Sequence, residues 1–140
     1  MKTGATVNDV KKIDLPQIIN AKGNLTFIEQ NNHVPFKVQN VSWIYDVPGG
    51  GGLDGYSVKK SEQFIVALSG NIDVVLNDGI EQREFSLNRS YAGLYIPPMI
   101  WRRIENFSTN SLTLVLSSGD DMEIEYIRTF ESFLSLKKNG

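Results

Sequence analysis

The residues best equipped for chemistry crowd into one short run. Four consecutive glycines, Gly49 to Gly52, are followed by Leu53-Asp54-Gly55-Tyr56-Ser57-Val58-Lys59-Lys60-Ser61-Glu62. Two carboxylates, a phenol and two ammonium groups so close together suit proton transfer. Carboxylates accept protons at neutral pH, and a phenol of ordinary pKa near 10 serves as an acid unless a cation sits beside it. Lys59, Lys22, Arg102 and Arg103 are the cations that could do so. Side chains alternate along a strand, so Asp54, Tyr56, Val58 and Lys60 share one face if no bulge intervenes. From Glu62 onward, Glu62, Phe64, Val66 and Leu68 share one face, and Gln63, Ile65 and Ala67 the other. An inward Glu62 would be a buried carboxylate in need of a partner, hence a candidate acid or base. The competing reading is a rim ion pair with Lys60.

A second reactive stretch is Ile96-Pro97-Pro98-Met99-Ile100-Trp101-Arg102-Arg103. The two prolines rigidify the entry to a strand. Trp101 and Arg102 then point to opposite faces, so one arginine should face the interior, bringing a planar fork of donors there. The alternative leaves both arginines solvated.

Several functions are excluded at this level. The chain has no cysteine, which rules out disulfides, thiolate metal sites and cysteine nucleophiles. Its one histidine, His33 in "NNHVPF", reads as a surface residue and cannot build a three-histidine site. The glycines are not a nucleotide cradle, because such loops lead into a helix and a strand follows here. Glycine's tolerance of positive φ and of close backbone approach leaves two readings: a flexible loop, or the mobile or tightly packed mouth of a barrel. A net charge of −2 with dispersed Lys and Arg argues against nucleic acid. No apolar run approaches a membrane span, and the N-terminal residues lack a signal-peptide pattern, so the expected compartment is the cytoplasm.

The elements that must position these residues read as β. Strand-like runs lie at 24–30, 39–47, 62–70, 71–78, 81–87, 93–97, 101–107 and 112–118. Turn signals separate them: "SGN", "STNS" and, strongest, "NDG" at 77–79. With 140 residues and no helix between strands, the chain predicts one domain over 1–140, an antiparallel sandwich or barrel. The tail differs. Ile124, Ile127, Phe130, Phe133 and Leu134 suit a helix from about Thr129, with Lys137 and Lys138 at its negative end, and Tyr126-Ile127 allows a short strand first. Trp43, Phe64, Phe85 and Phe107 read as core.

The segments "KGNLTFIE", "IYDVPGG", "EQFIVALSGNIDVVLNDG", "LNRSYAGLYIPPMIWRRIENFS" and "YIRTFESFL" resemble the cupin family of dTDP-sugar 3,4-ketoisomerases, from about Ile13 to Lys137. The resemblance implies an all-β cupin jelly roll with a short C-terminal helix, and a homodimer. It also implies a dTDP-sugar nucleotide bound in the barrel mouth and chemistry without metal or other cofactor. The implied substrate is dTDP-4-keto-6-deoxyglucose, in bacterial surface-polysaccharide sugar biosynthesis. The residue after the tryptophan of this family lies at the sugar end of the pocket and varies with product stereochemistry, which points to Arg102. Tyr45 resembles a family active-site tyrosine, and Lys22 stands where the family commonly has Arg-Gly. Tyr45 reads equally as a core aromatic.

One departure is sharp. Where the family has R-G-x-H-A-H-K, this chain has Leu53-Asp54-Gly55-Tyr56-Ser57-Val58-Lys59, so Tyr56 and Val58 replace both histidines. Of the cupin metal motif, two histidines followed by a glutamate, only Glu62 remains. Three functions follow. The first is an isomerase whose acid–base work has moved to Tyr56, Asp54, Glu62 and Lys59, with Lys22, Tyr45, Gln63, Trp101, Arg102 and Arg103 binding substrate. The second is a catalytically silent cupin that binds a dTDP-sugar or a partner subunit. The third is an epimerase-type relative.

Overall fold

Alternation along one central strand organises the molecule. In the computed structural model, which describes residues 4–119 and 125–139, β6 (Gln63–Ser69) is buried on both faces. Ile65 and Ala67 enter one apolar cluster, while Phe64 and Val66 enter another. The first cluster also takes Ile72, Val74 and Leu76 of β7 (Ile72–Asn77), Leu87 of β8 (Gln82–Leu87), Leu94 and Ile96 of β9 (Ala92–Ile96), Ile104 of β10 (Trp101–Glu105) and Val115 of β11 (Leu112–Ser117). Each fully buried Ile or Leu contributes about 1.5–3 kcal/mol, so this cluster is what holds the sheets together.

Five strands form one antiparallel sheet. They are β1 (Lys11–Asp14), β9, β6, β11 and β4 (Asn40–Ile44), in that order. A second sheet has the order β10-β7-β8. Two ribbons complete the strands: β2 (Gln17–Ile18) with β3 (Leu25–Thr26), and β5 (Ser57–Val58) with β12 (Tyr126–Ile127). A single antiparallel bridge, Tyr56 to Arg102, ties the β5 ribbon to β10.

The turn signals place the corners. Asp78-Gly79 closes the β7–β8 hairpin, with Gly79 at φ +95 and the Asp78 carboxylate accepting from the Ile80 and Glu81 amides. "SGN" and "STNS" join strands of different sheets, so each is a crossing point. The two corners bond each other through Asn71 and Ser108. β1 was not legible, because "KKID" is too polar to announce a strand; it lies at the edge of its sheet, paired with β9.

The glycines pack closely. The Gly50 amide donates to the Phe107 carbonyl, Phe107 donates back to Gly51, and Leu53 donates to Ile104. A Cβ on Gly52 would sit 3.2 Å from the Glu105 Cα, a tight fit against the end of β10 that glycine makes without a shift.

The tail forms α1 (Phe130–Asn139), with the Thr129 hydroxyl accepting from the Ser132 amide in the manner of an N-cap. Phe133 is fully buried beside Ile127 and Met99. Ile124 lies outside the described residues. Lys137 does more than face a dipole: its Nζ is drawn inward to the carbonyls of Ala5 (2.5 Å) and Met99 (2.7 Å), and burial pushes its pKa down. Trp43 is corrected from core to surface. It is 58% exposed, because β4 is an edge strand and alternation turns Trp43 away from the cluster that Ile44 joins.

Candidate active site

A cavity of about 340 Å³ opens beside β5 and is lined by Asp54, Tyr56, Gln63, Ser117, Tyr126 and Arg128, with Asn40, Ser42 and Ile44 behind them. The size fits the lower range of small-molecule sites. Its walls follow from alternation. Asn40, Ser42 and Ile44 are the inward positions of β4, Val115 and Ser117 those of β11, and Gln63 that of β6. A larger cavity, about 680 Å³, lies on the opposite face of the five-stranded sheet. It is lined chiefly by Leu15, Phe27, Ile28, Val66 and Leu116 and carries no carboxylate, cation or imidazole. Of the two, the smaller cavity carries the charged side chains, Asp54 and Arg128, along with Tyr56 and Tyr126.

Beneath it lies Arg102, wholly buried. Tyr56 and Arg102 are bridge partners on adjacent strands, so their side chains leave on the same face. The guanidinium carbon is 5.4 Å from the centroid of the Tyr56 ring. Its Nη1 donates to Gln63 Oε1 at 2.5 Å and Nη2 to the Ile100 carbonyl at 2.8 Å. Nε has no partner, and among the described residues no carboxylate pairs with this cation. Burial pushes the guanidinium below its ordinary pKa, with Tyr56 and Tyr126 opposing. The Tyr56 hydroxyl donates to the same Gln63 oxygen at 3.2 Å.

Above Tyr56 the rings continue. Tyr126 packs on it at 5.0 Å between centroids, and Arg128 lies 4.2 Å over Tyr126. Two adjoining aromatic rings, tilted 32° to each other, are thus each met by a cation, Tyr56 by Arg102 and Tyr126 by Arg128. Glu125 fixes the approach to β12: its carboxylate accepts from the Lys60 amide (2.9 Å), the Ser61 amide (2.7 Å) and the Ser61 hydroxyl.

The candidates divide accordingly. Asp54, Tyr56 and Gln63 line one cavity with Arg102 below them. Glu62 does not face it. It takes the face opposite Gln63, where its carboxylate accepts from the Tyr95 hydroxyl at 2.6 Å, and burial together with that carboxylate pushes the Tyr95 pKa up. Nor is Glu62 in a rim ion pair with Lys60. Lys59 is exposed, and its backbone, not its side chain, is engaged with Glu125. Lys22 sits in the exposed turn between β2 and β3. Tyr45 follows β4 at an outward position and is 62% exposed.

Trp101 and Arg103 point away from Arg102, as alternation requires. Trp101 packs against Phe130 and Phe133 of α1 and over Gly55, where a Cβ would come within 2.7 Å of the indole. Arg103 pairs with Glu105 at 2.8 Å on the surface. Val58 is fully buried, with its carbonyl accepting from Met99. His33 accepts from the Glu29 amide and meets the Phe27 ring. Among the described residues no cluster of three His, Cys, Asp or Glu side chains could hold a metal.

Tyr126 and Arg128 were missed. Their signal is the aromatic–aliphatic–basic alternation of "YIR", which places both on the cavity side and Ile127 in the core. The short strand allowed at Tyr126-Ile127 is observed as β12, but neither Tyr126 nor Arg128 was assigned to the site from it.

What the site can do follows from its groups: a phenol donor, a carboxylate acceptor and a buried cation that can stabilise a developing oxyanion. The comparisons point the same way. The family model described as "FdtA: WxcM-like, C-terminal" matches residues 8–138. The TDP-4-oxo-6-deoxy-alpha-D-glucose-3,4-oxoisomerase of Aneurinibacillus thermoaerophilus is 34% identical over 136 residues, covering 93% of this chain and 98% of that protein. The WlaRB TDP-quinovose 3,4-ketoisomerase from Campylobacter jejuni superposes with a TM-score of 0.86 at 35% identity, over 91% of this chain and 98% of that one. QdtA, a sugar 3,4-ketoisomerase from Thermoanaerobacterium thermosaccharolyticum solved with TDP, gives 0.91 at 30% identity, over 96% and 98%. The chain therefore belongs to the FdtA, WxcM-like family.

Proposed function

We propose that this protein is a sugar-nucleotide 3,4-ketoisomerase acting on dTDP-4-keto-6-deoxyglucose in the cavity between β4, β6 and β12, within a pathway for bacterial surface sugars. The observation that carries this reading is Arg102: a buried guanidinium without a carboxylate partner among the described residues, below a cavity that presents Tyr56 and Asp54. A buried, uncompensated cation costs several kcal/mol, and an anionic intermediate would repay it.

The chemistry balances without an outside oxidant. A base takes the C3 proton; the C–H pair becomes the C3=C4 bond and the C4 carbonyl pair moves to O4. The O3 proton passes to O4, C3 becomes the carbonyl, and an acid delivers a proton to C4. Asp54 is the base and Tyr56 the acid in this proposal. Arg128 at the mouth holds the diphosphate.

The Tyr56–Arg102 bridge supports a single jelly-roll domain of cupin type, since it extends the second sheet through β5 to β12. A homodimer would cover the apolar side chains that the five-stranded sheet exposes, Val41, Trp43 and Tyr45 with Phe27 and Leu68. No described helix is long and apolar enough to cross a membrane, and a cytoplasmic location suits a sugar-nucleotide substrate. Neither nucleic acid nor membrane enters this scheme.

A silent binding protein is the second reading, favoured by Val58, which brings no acid–base group to a position where the family has histidine. Incubation with dTDP-4-keto-6-deoxyglucose in deuterated water, followed by proton NMR, separates the two. Deuterium at C3 of recovered substrate or at C4 of product supports isomerisation; tight binding without exchange supports the silent protein.

A further inference from the structure

We propose that Gln63 is a positioning residue that couples the buried Arg102 cation to the Tyr56 hydroxyl and keeps that phenol a proton donor. The proposal rests on the ketoisomerase reading for its catalytic meaning but on geometry for the coupling itself. Guanidinium is all donor, so the Gln63 atom facing Arg102 Nη1 at 2.5 Å must be the amide oxygen. That orientation is therefore set by chemistry. The same oxygen lies 3.2 Å from the Tyr56 oxygen. An acceptor at that place takes the phenol's one proton, so the hydroxyl is oriented toward Gln63. Delivery of that proton to C4 needs only rotation of the hydroxyl about its C–O bond, from Gln63 to the cavity, so Gln63 holds the proton until substrate arrives.

Gln63 is well placed to hold this alignment. It is 2% exposed and sits on the central strand, paired with Ile96 of β9 on one side and Ser117 of β11 on the other. Arg102 is equally fixed, with Nη2 on the Ile100 carbonyl. Tyr126, packed against Tyr56 at 5.0 Å between centroids, limits the ring further. Among the described residues, the charged or titratable groups around Tyr56 are Arg102 on β10, Tyr126 of β12 with Arg128 over it, and Asp54 in its own segment. A glutamine serves here where a glutamate would not. A carboxylate would neutralise Arg102, and the cavity would lose the unpaired cation that an oxyanion needs.

Gln63→Glu tests the proposal. The change is isosteric and gives Arg102 a carboxylate, so the variant should fold with an unchanged or raised melting temperature. Two readouts are followed. The first is the near-ultraviolet phenolate titration step that disappears in Tyr56→Phe. In Gln63→Glu this step should move to higher pH by about one unit or more, since a neighbouring anion disfavours the phenolate. The second is turnover, where kcat should fall about 100-fold with KM changed less than about threefold, as expected for loss of an interaction made in the transition state.

A titration step that stays in place shows that Gln63 and Tyr56 are not coupled and overturns the proposal. A moved step with full kcat leaves Gln63 a structural residue and overturns its positioning role. If the introduced carboxylate destabilises the fold, Gln63→Met replaces it, and the hydroxyl, relieved of its acceptor, should titrate at lower pH. A parent protein that binds the nucleotide sugar without turnover or deuterium exchange refutes the ketoisomerase reading, while the titration still judges the coupling.

Discussion

Tyr56 and Arg102 face each other across one antiparallel bridge, each backbone amide donating to the other's carbonyl at 3.0 and 2.9 Å. That pairing turns both side chains inward and brings the guanidinium over the phenol ring. The phenol and the cation are thus held by backbone rather than by a flexible loop, and consequences for stability and function follow from the same contact.

Arg102→Met should separate stability from activity. Replacing a buried, carboxylate-free cation by an apolar chain of similar volume is often neutral or stabilising, by about 1–4 kcal/mol. The Gln63 oxygen keeps its Tyr56 donor, while the Ile100 carbonyl loses one. Chemical denaturation should show stability unchanged or raised by about 1 kcal/mol, with turnover lost. A variant that is both much less stable and fully active would contradict this.

Arg128→Ala should weaken substrate binding more than it slows chemistry. The guanidinium stacks on Tyr126 at the exposed mouth, where a diphosphate would pass. Loss of one partly solvated charge-assisted contact predicts about a tenfold rise in Kd for the nucleotide sugar. Calorimetry at low and high salt checks it, and the parent should lose more affinity with salt than the variant. Lys22→Ala, in the β2–β3 turn, should leave Kd unchanged.

Acid stability should depend on Asp78. Burial disfavours its carboxylate, but the amides of Glu81, Val7 and Ile80, with Lys137 nearby, outweigh that and hold its pKa below the ordinary 3.8. A depressed folded-state pKa contributes stability that is complete above the unfolded value and lost as pH falls through the folded one. The contribution is therefore full at neutral pH and disappears only below about pH 3.8. Asp78→Asn should lower stability at pH 7 by about 1–3 kcal/mol, with the difference shrinking in strong acid. A constant difference across that range would refute the assignment.

Trp43→Glu tests the proposed self-association. Placing a charge in the middle of the exposed Val41–Trp43–Tyr45 row should convert a dimer to a monomer in sedimentation without unfolding it. An unchanged sedimentation coefficient would move the interface elsewhere.

The β pattern was legible because alternation and turn chemistry are local: "NDG" closes a hairpin, and each expected run from 39 to 118 overlaps an observed strand. Which sheet a strand joins is not local, so the crossings at "SGN" and "STNS" came only with the structure. Asp54 and Tyr56 could be read together from alternation along one segment, but that alternation set Glu62 rather than Gln63 beside them. Arg102 needed its cross-strand partner to be placed. Glu62 was one register position from the cavity, and with period-two alternation one position is the opposite face. Tyr45 and Trp43 could not be told from core aromatics, because nothing in "VSWIYDV" announces an edge strand.

The most direct measurement is proton NMR of dTDP-4-keto-6-deoxyglucose with this protein in deuterated water, beside Tyr56→Phe. Conversion to the 3-keto isomer with deuterium at C4, and a rate about 100-fold lower in the variant at similar KM, is the expected result. Binding without conversion or exchange, or a Tyr56→Phe variant at full rate, would contradict it.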